Sequence, residues 1–309
     1  MCPHQLTTRF EKIGLWGRLG EAGVADLALE IVSQLRELGL KVFVPAQADI
    51  PKGFGDTHRL PPDQLAAEVD LIVAVGGDGT MLHAARGAAQ HRVPLLVVIR
   101  GRLGFLTDVS PALMAETINT ILSGDYAAED RLMLEAEISG GKKNRGPMLA
   151  LNDVVLKTAS TGHMQDFLTS VDGEYVNTDG GDGLIVATPT GSTAYALSCG
   201  GPIIRRNVDA LVIVPIAPHT LSDRPLVVRS SSQITVRVEP RTDSQRAEVA
   251  CDGETFAEIG RDDTLTIRVA EETVQLLHPR GQSYYDLLRS KLNWGQTNRA
   301  QTSDSDSTD

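Results

Sequence analysis

Residues 71–90 read LIVAVGGDGTMLHAARGAAQ. The apolar run Leu71–Val75 leads straight into Gly76–Gly77–Asp78–Gly79–Thr80, and a helix is predicted over Met81–Gln90. A short apolar run without polar alternation suits a strand of a parallel sheet, buried on both faces. Glycines at the following turn permit unusual backbone angles and let N–H groups approach a phosphate closely. The start of the helix adds a field that favours anions. An aspartate among such amides would repel a phosphate, so its carboxylate makes better sense handling a hydroxyl proton or a metal ion. Taken alone, GGDG is equally well an ordinary strand–helix turn with a solvated Asp.

The same rhythm extends on both sides. Ile13–Trp16, Lys41–Val44 and Leu95–Ile99 are further short apolar runs, and Glu21–Leu38 carries Leu27, Ile31, Leu35 and Leu38 at helical spacing. Ala112–Leu122 reads as another amphipathic helix. The alternation predicts an N-terminal doubly wound, Rossmann-like α/β domain over residues 1–125, with ligands beyond the carboxyl ends of its strands. From Arg131 the pattern becomes short and β-branched: Leu132–Ile138, Leu149–Leu156, Phe167–Val171, Leu184–Ala187, Leu211–Val214, Ile234–Val238, Leu265–Val269 and Val274–Leu277. Asp172–Gly173 and Asp252–Gly253 are tight-hairpin signals. Residues 126–282 are therefore expected to form a mainly antiparallel β-sandwich, with 283–295 packing back on the first domain and 296–309 disordered.

Bulk properties bound the function. The 309 residues are 41% hydrophobic and 22% charged, a globular balance. A formal net charge of −11, without extended clusters of Lys and Arg, argues against a nucleic-acid platform. No apolar run is long enough for a membrane span. Cys2, Cys199 and Cys251 lack metal-ligand spacing, so a cytoplasmic protein without disulfides is expected. No P-loop, GxGxxG turn, HExxH helix or GxSxG elbow is present, and no dedicated metal cage is expected.

Three further segments are rich in groups that bind small polar ligands. Thr188–Tyr195 (TPTGSTAY) puts hydroxyls and a glycine ahead of a short helix, which fits a polar pocket or a simple capped helix. Asn152–Asp153 pairs an amide with a carboxylate, a set suited to the two hydroxyls of a ribose, or to a turn. Asp179–Gly183 (DGGDG) fits a turn or a ligand contact better than a calcium loop.

Order changes the weight of these segments. GGDGT, Gly101–Arg102–Leu103–Gly104–Phe105, Asn152–Asp153, Gly181–Asp182–Gly183 and TPTGSTAY, followed by Ser198 and Gly200–Gly201–Pro202, form a series that resembles the NAD kinase family in its bacterial form. The resemblance covers roughly residues 10 to 294. It implies transfer of the γ-phosphoryl group of ATP, or of polyphosphate, to the 2′-hydroxyl of the adenosine ribose of NAD. It also implies that Asp78 is the base or orienting group and that Gly77 and Gly79 admit the triphosphate. Phe105 would lie by the adenine, and Asn152 and Asp153 would hold ribose hydroxyls. Asp182 would sit on the nicotinamide side, with Thr193, Ala194, Tyr195 and Ser198 lining the pocket and Asp252 a further ligand-side carboxylate. A divalent ion, Mg²⁺ above all, would arrive with ATP, and the chain would form a homodimer or homotetramer. Alternatives are a dinucleotide sensor without catalysis, or a lipid or sugar kinase sharing GGDG. The sequence departs from the family's usual Gly-Ile-Asn at Val97–Val98–Ile99, which predicts weaker handling of ATP.

Overall fold

The computed structural model describes residues 10–46, 50, 53–100, 104–105, 109, 111–141, 144–159, 165–239, 246–281 and 283–294. Cys2, Gly101–Leu103 of the second motif and the expected tail 296–309 lie outside these residues.

Seventeen strands are present among the described residues: β1 Lys12–Gly17, β2 Lys41–Pro45, β3 His58–Leu60, β4 Leu71–Gly76, β5 Leu95–Ile99, β6 Ala127–Gly140, β7 Arg145–Ala150, β8 Asp153–Thr158 and β9 Gln165–Val171. They continue with β10 Glu174–Gly181, β11 Gly183–Ala187, β12 Ala210–Ile216, β13 Leu226–Arg229, β14 Ile234–Glu239, β15 Ala247–Cys251, β16 Glu254–Ile259 and β17 Asp263–His278. The helices are α1 Val24–Glu37, α2 Pro62–Leu65, α3 Asp78–His91, α4 Met114–Leu122, α5 Tyr195–Ser198 and α6 Tyr284–Leu292.

The expected class holds: an N-terminal α/β part with parallel strands and a C-terminal, mainly antiparallel part. Strands β5-β4-β1-β2-β3 run parallel. One face of this sheet packs Ile13, Leu15, Val73 and Val75 against Ala28, Ile31 and Leu35 of α1 and Ile118 and Ile121 of α4. The other packs Ile72, Ala74 and Val97 against Met81, Ala84, Ala85 and Ala88 of α3. Small side chains along α3 let it lie close to the sheet.

Val97 belongs to that packed layer and is 6% exposed, and Ile99 is 2% exposed. Both therefore serve the strand core, whatever their effect on ATP.

The C-terminal part is a sandwich. A six-stranded sheet, β13-β12-β11-β8-β15-β16, faces β6, β9, β14 and β17 across a core that includes Phe167, Leu184, Val236, Val249 and Ile267. Both Asp-Gly hairpins are confirmed: Asp172 and Gly173 have φ of 53° and 82°, Asp252 and Gly253 of 50° and 79°. Positive φ at both central residues is what a two-residue turn of matching twist requires.

Several boundaries differ from those expected. Helix α3 begins at Asp78 instead of Met81, because Gly77 supplies the carbonyl for the amides of Thr80 and Met81. Leu149–Leu156 is two strands in two different sheets, broken at Leu151–Asn152. Leu265–Val269 and Val274–Leu277 are one strand, β17, with an irregularity in its pairing to β6. This strand joins the two parts: it pairs antiparallel with β6 and β14, and parallel with β5 through Leu276 and Leu95.

Candidate active site

The end of β4 and the start of α3 form the floor of a cleft of about 890 Å³. Gly76 is required by packing, since a Cβ there would lie 2.4 Å from Thr80 Oγ1. Gly77 and Gly79 are different: a Cβ on either would meet nothing within 4 Å, so the room they leave opens into the cleft. Gly77, Gly79 and Thr80, at the start of α3, line this space, and the first amides of a helix lack acceptors within it. Trp16, Arg18, His83 and Arg100 also line it, with Arg18 and Arg100 sharing Glu21 at 3.0 and 3.7 Å. Asp78, the first residue of α3, is exposed. Desolvation nonetheless raises its pKa above the ordinary carboxylate value, and Lys291 on α6 partly offsets that rise.

A second pocket, of about 350 Å³, is lined by Leu82, Asn152, Asp153, Lys157, Ala194, Tyr195 and Asp252, among others. Its wall is organised from below. The side chain of Asp252 is fully buried and accepts from the amides of Leu151 (2.8 Å), Asn152 (2.7 Å) and Asp153 (3.2 Å). Thr188 Oγ1 donates to Leu151 O at 2.6 Å and accepts from Gly191 N at 3.1 Å. Gly191 is pressed against the same turn, where a Cβ would fall 2.0 Å from Asn152 O. Ser192 is spent on Pro189 O and Ile204 N.

What faces the pocket is then a small set. Asn152 Oδ1 is buried and has no hydrogen-bond partner among the described residues, so it is poised for a ligand donor. Asp153 is 5% exposed; burial, with Asp252 nearby, raises its pKa to about 7 against the opposing pull of Lys157. Lys157 Nζ stands 4.6 Å from the centre of the Tyr195 ring.

Residues 13–126 match the ATP-NAD kinase N-terminal domain family, and residues 151–279 match the ATP-NAD kinase C-terminal domain family. The chain belongs to the NAD kinase family. An NAD kinase of Pseudomonas putida is 42% identical over 93% of this chain and 97% of its own length. One from Chromohalobacter salexigens is 41% identical over 92% and 97%. Among solved structures, an Archaeoglobus fulgidus NAD kinase in complex with ATP superposes with a TM-score of 0.68 at 26% identity, covering 91% of this chain and 98% of that one. Yeast NADH kinase complexed with NADH shares the fold, with a TM-score of 0.86 at 22% identity over 94% of this chain and 89% of its own.

Within this NAD kinase family member, the site residues predicted from sequence are not all gathered together. Gly77 and Gly79 line the cleft; Asn152, Asp153, Ala194, Tyr195 and Asp252 line the second pocket. Thr193 is adjacent to that pocket, its hydroxyl donating to Thr190 O at 3.2 Å, and Ser198 is exposed at the end of α5. Phe105 is half-buried and its carbonyl accepts from Arg206. Asp182 stands apart. It is exposed at the start of β11, whereas Ala187, at the far end of that strand, pairs with Asp153. Five strand residues separate the two ends by roughly 17 Å.

Sequence reading missed four cations. Lys157 and Lys291 have been described, and Arg131 has a fully buried side chain paired with Glu129 at 2.8 Å. The fourth, Arg86 on α3, donates to Cys251 O at 2.8 Å and pairs with Glu254. Its only sequence signal was a lone arginine within an alanine-rich helix following GGDG. Among the described residues, no cluster of three or more His, Cys, Asp or Glu is arranged to hold a metal ion.

Proposed function

We propose that this chain is an active NAD kinase, transferring the γ-phosphoryl group of ATP to the 2′-hydroxyl of the adenosine ribose of NAD to give NADP. The observation that carries this reading is the placement of α3 as a wall common to both pockets. Gly77, Gly79, Thr80 and His83 face the open cleft, whereas Leu82 faces the pocket of Asn152 and Asp153. Donor and acceptor would thus meet at the start of one helix, where Asp78 stands.

In this arrangement the cleft takes the triphosphate, with Arg18 and Arg100 offsetting its charge. Asn152 and Asp153 take the ribose hydroxyls, and Asp182 would serve the dinucleotide through a neighbouring subunit of a dimer or tetramer. Asp78 accepts the proton of the 2′-hydroxyl as its oxygen attacks the γ-phosphorus and ADP leaves. Its raised pKa makes it a better acceptor than an ordinary carboxylate, and base catalysis of this kind contributes roughly 10²–10⁴-fold. Asp78 is also the hard oxygen donor placed to share with the phosphates a divalent ion arriving with ATP, which would neutralise charge during transfer.

Neither a lipid nor a sugar kinase is favoured, because the family match extends through the dinucleotide-binding half. No helix among the described residues is long and apolar enough to cross a membrane; a cytoplasmic placement is part of the proposal. Assay of NADP formation from ATP and NAD tests the reading. Tight binding of NAD without turnover would support the sensor instead, and polyphosphate in place of ATP identifies the donor.

A further inference from the structure

Helix α3 reaches the second pocket by a route other than its wall. Arg86 lies eight residues beyond Asp78, about 12 Å along the helix axis. Its guanidinium is only 16% exposed. Nη2 donates to Cys251 O at 2.8 Å, Nη1 pairs with Glu254, and Nε lies 4.0 Å from Asp252 Oδ2. Arg86 thereby grips both flanks of the Asp252–Gly253 turn between β15 and β16. From the other side, the Asp252 carboxylate accepts from the three consecutive amides of Leu151, Asn152 and Asp153. The amide of Asp252 in turn donates to Asp153 O at 2.9 Å.

Resting on the kinase reading above, we infer that Arg86 and Asp252 are a positioning pair. They fix the ribose-holding turn Asn152–Asp153 relative to Asp78 and act on catalysis through it. Asp252, expected to be a ligand-side carboxylate, lines the second pocket, and its two oxygens also accept from backbone amides of the chain. A rigid link is needed because Asp78 and the ribose turn lie in different halves of the molecule. A misplacement of about 1 Å between reacting groups can cost roughly 100-fold in rate. The link also depends on charge. Burial raises the pKa of Asp252, and the amides of Leu151 and Asn152, then the Arg86 guanidinium, oppose that rise, so losing the guanidinium shifts the carboxylate towards its protonated form.

The test is a double-mutant cycle on the full-length protein with Arg86→Met, Asp252→Asn and the pair. Calorimetric binding of NAD and steady-state kinetics with ATP are the readouts. Each single variant should lower kcat about 10–100-fold and weaken NAD binding, while KM for ATP stays within about twofold. The double variant should be no worse than the poorer single one, because both break the same link. Losses that multiply, or KM values for ATP and NAD that rise together, would show two general stability contacts and overturn the inference. Should Arg86→Met fail to fold, Arg86→Lys decides: it keeps the charge and loses the fork, so unchanged kcat would count against positioning. If the parent binds NAD without turning over, the kinase reading falls. The cycle in NAD affinity still tests the pair.

Discussion

The two pockets along α3 are built in opposite ways. At the GGDG turn the glycines face open space, Asp78 is exposed, and the cationic side chains are held loosely around Glu21. At the Asn152–Asp153 turn almost every polar group is already committed, and a glycine is compressed against the neighbouring backbone. Where a donor must enter and leave as a different molecule, the protein supplies room and field. Where, on the proposed reading, a particular pair of hydroxyls is held, it supplies a rigid frame in which Asn152 Oδ1 is without a partner among the described residues. The contrast teaches that glycine has two meanings here. Gly77 and Gly79 leave open space, which the proposed function assigns to a ligand, and Gly191 makes space for the protein itself.

The largest expected effect lies at the start of α3. Asp78→Asn keeps the shape and removes the proton acceptor, so kcat should fall roughly 10²–10⁴-fold with NAD affinity unchanged. Turnover within a few-fold of the parent would remove the base from the mechanism. Next, Gly191→Ala should damage the rigid side. Its methyl group would overlap Asn152 O, costing about 1–3 kcal/mol in chemical denaturation and weakening NAD binding at least tenfold. A parent-like midpoint and affinity would mean the turn is not rigid. By contrast, Gly77→Ala should leave stability unchanged and raise KM for ATP several-fold, because only the ligand is crowded. If stability falls instead, the two kinds of glycine are not distinct.

The smallest effect is a pH dependence. Asp153 has its folded-state pKa raised to about 7, so the fold binds its proton more tightly than the unfolded chain does. That stabilisation is complete below about pH 4 and is lost as pH rises to about 7. Asp153→Asn should flatten this decline in a stability–pH profile. NAD binding should change in the reverse sense, strengthening a few-fold between pH 6 and 8 as the carboxylate forms to accept from ribose hydroxyls. A flat profile in the parent would show that Asp153 is ionised throughout.

Much of this contrast was legible in the sequence. Apolar runs placed the parallel strands, and the glycines of GGDG and the Ala194–Tyr195 end of TPTGSTAY each line one of the two pockets, because each signal is local. What escaped was non-local. The three amides that occupy Asp252 come from a turn about 100 residues earlier, so its charge could be read but its direction could not. Leu149–Leu156 looked like one strand, since apolar content does not reveal that a chain changes sheets at Leu151–Asn152. Strand β10 was hidden because Glu174–Gly181 is mostly polar, its existence depending on its partner β9.

The long strand β17 has a consequence for biosynthesis. Leu95 on β5 finds its partner, Leu276, only about 180 residues later in the chain. At synthesis rates of ~5–20 residues per second, the Leu95 end of this apolar strand waits roughly 10–35 s for its neighbour, whereas Val98 at the other end bridges to the nearby Val109. During that interval the nascent N-terminal half presents an edge that is unpaired at Leu95, of the kind that other chains can join. The parallel sheet is thus completed last by the end of the chain, and a ribosome stalled before residue 276 would release a first half whose sheet is still open on that side.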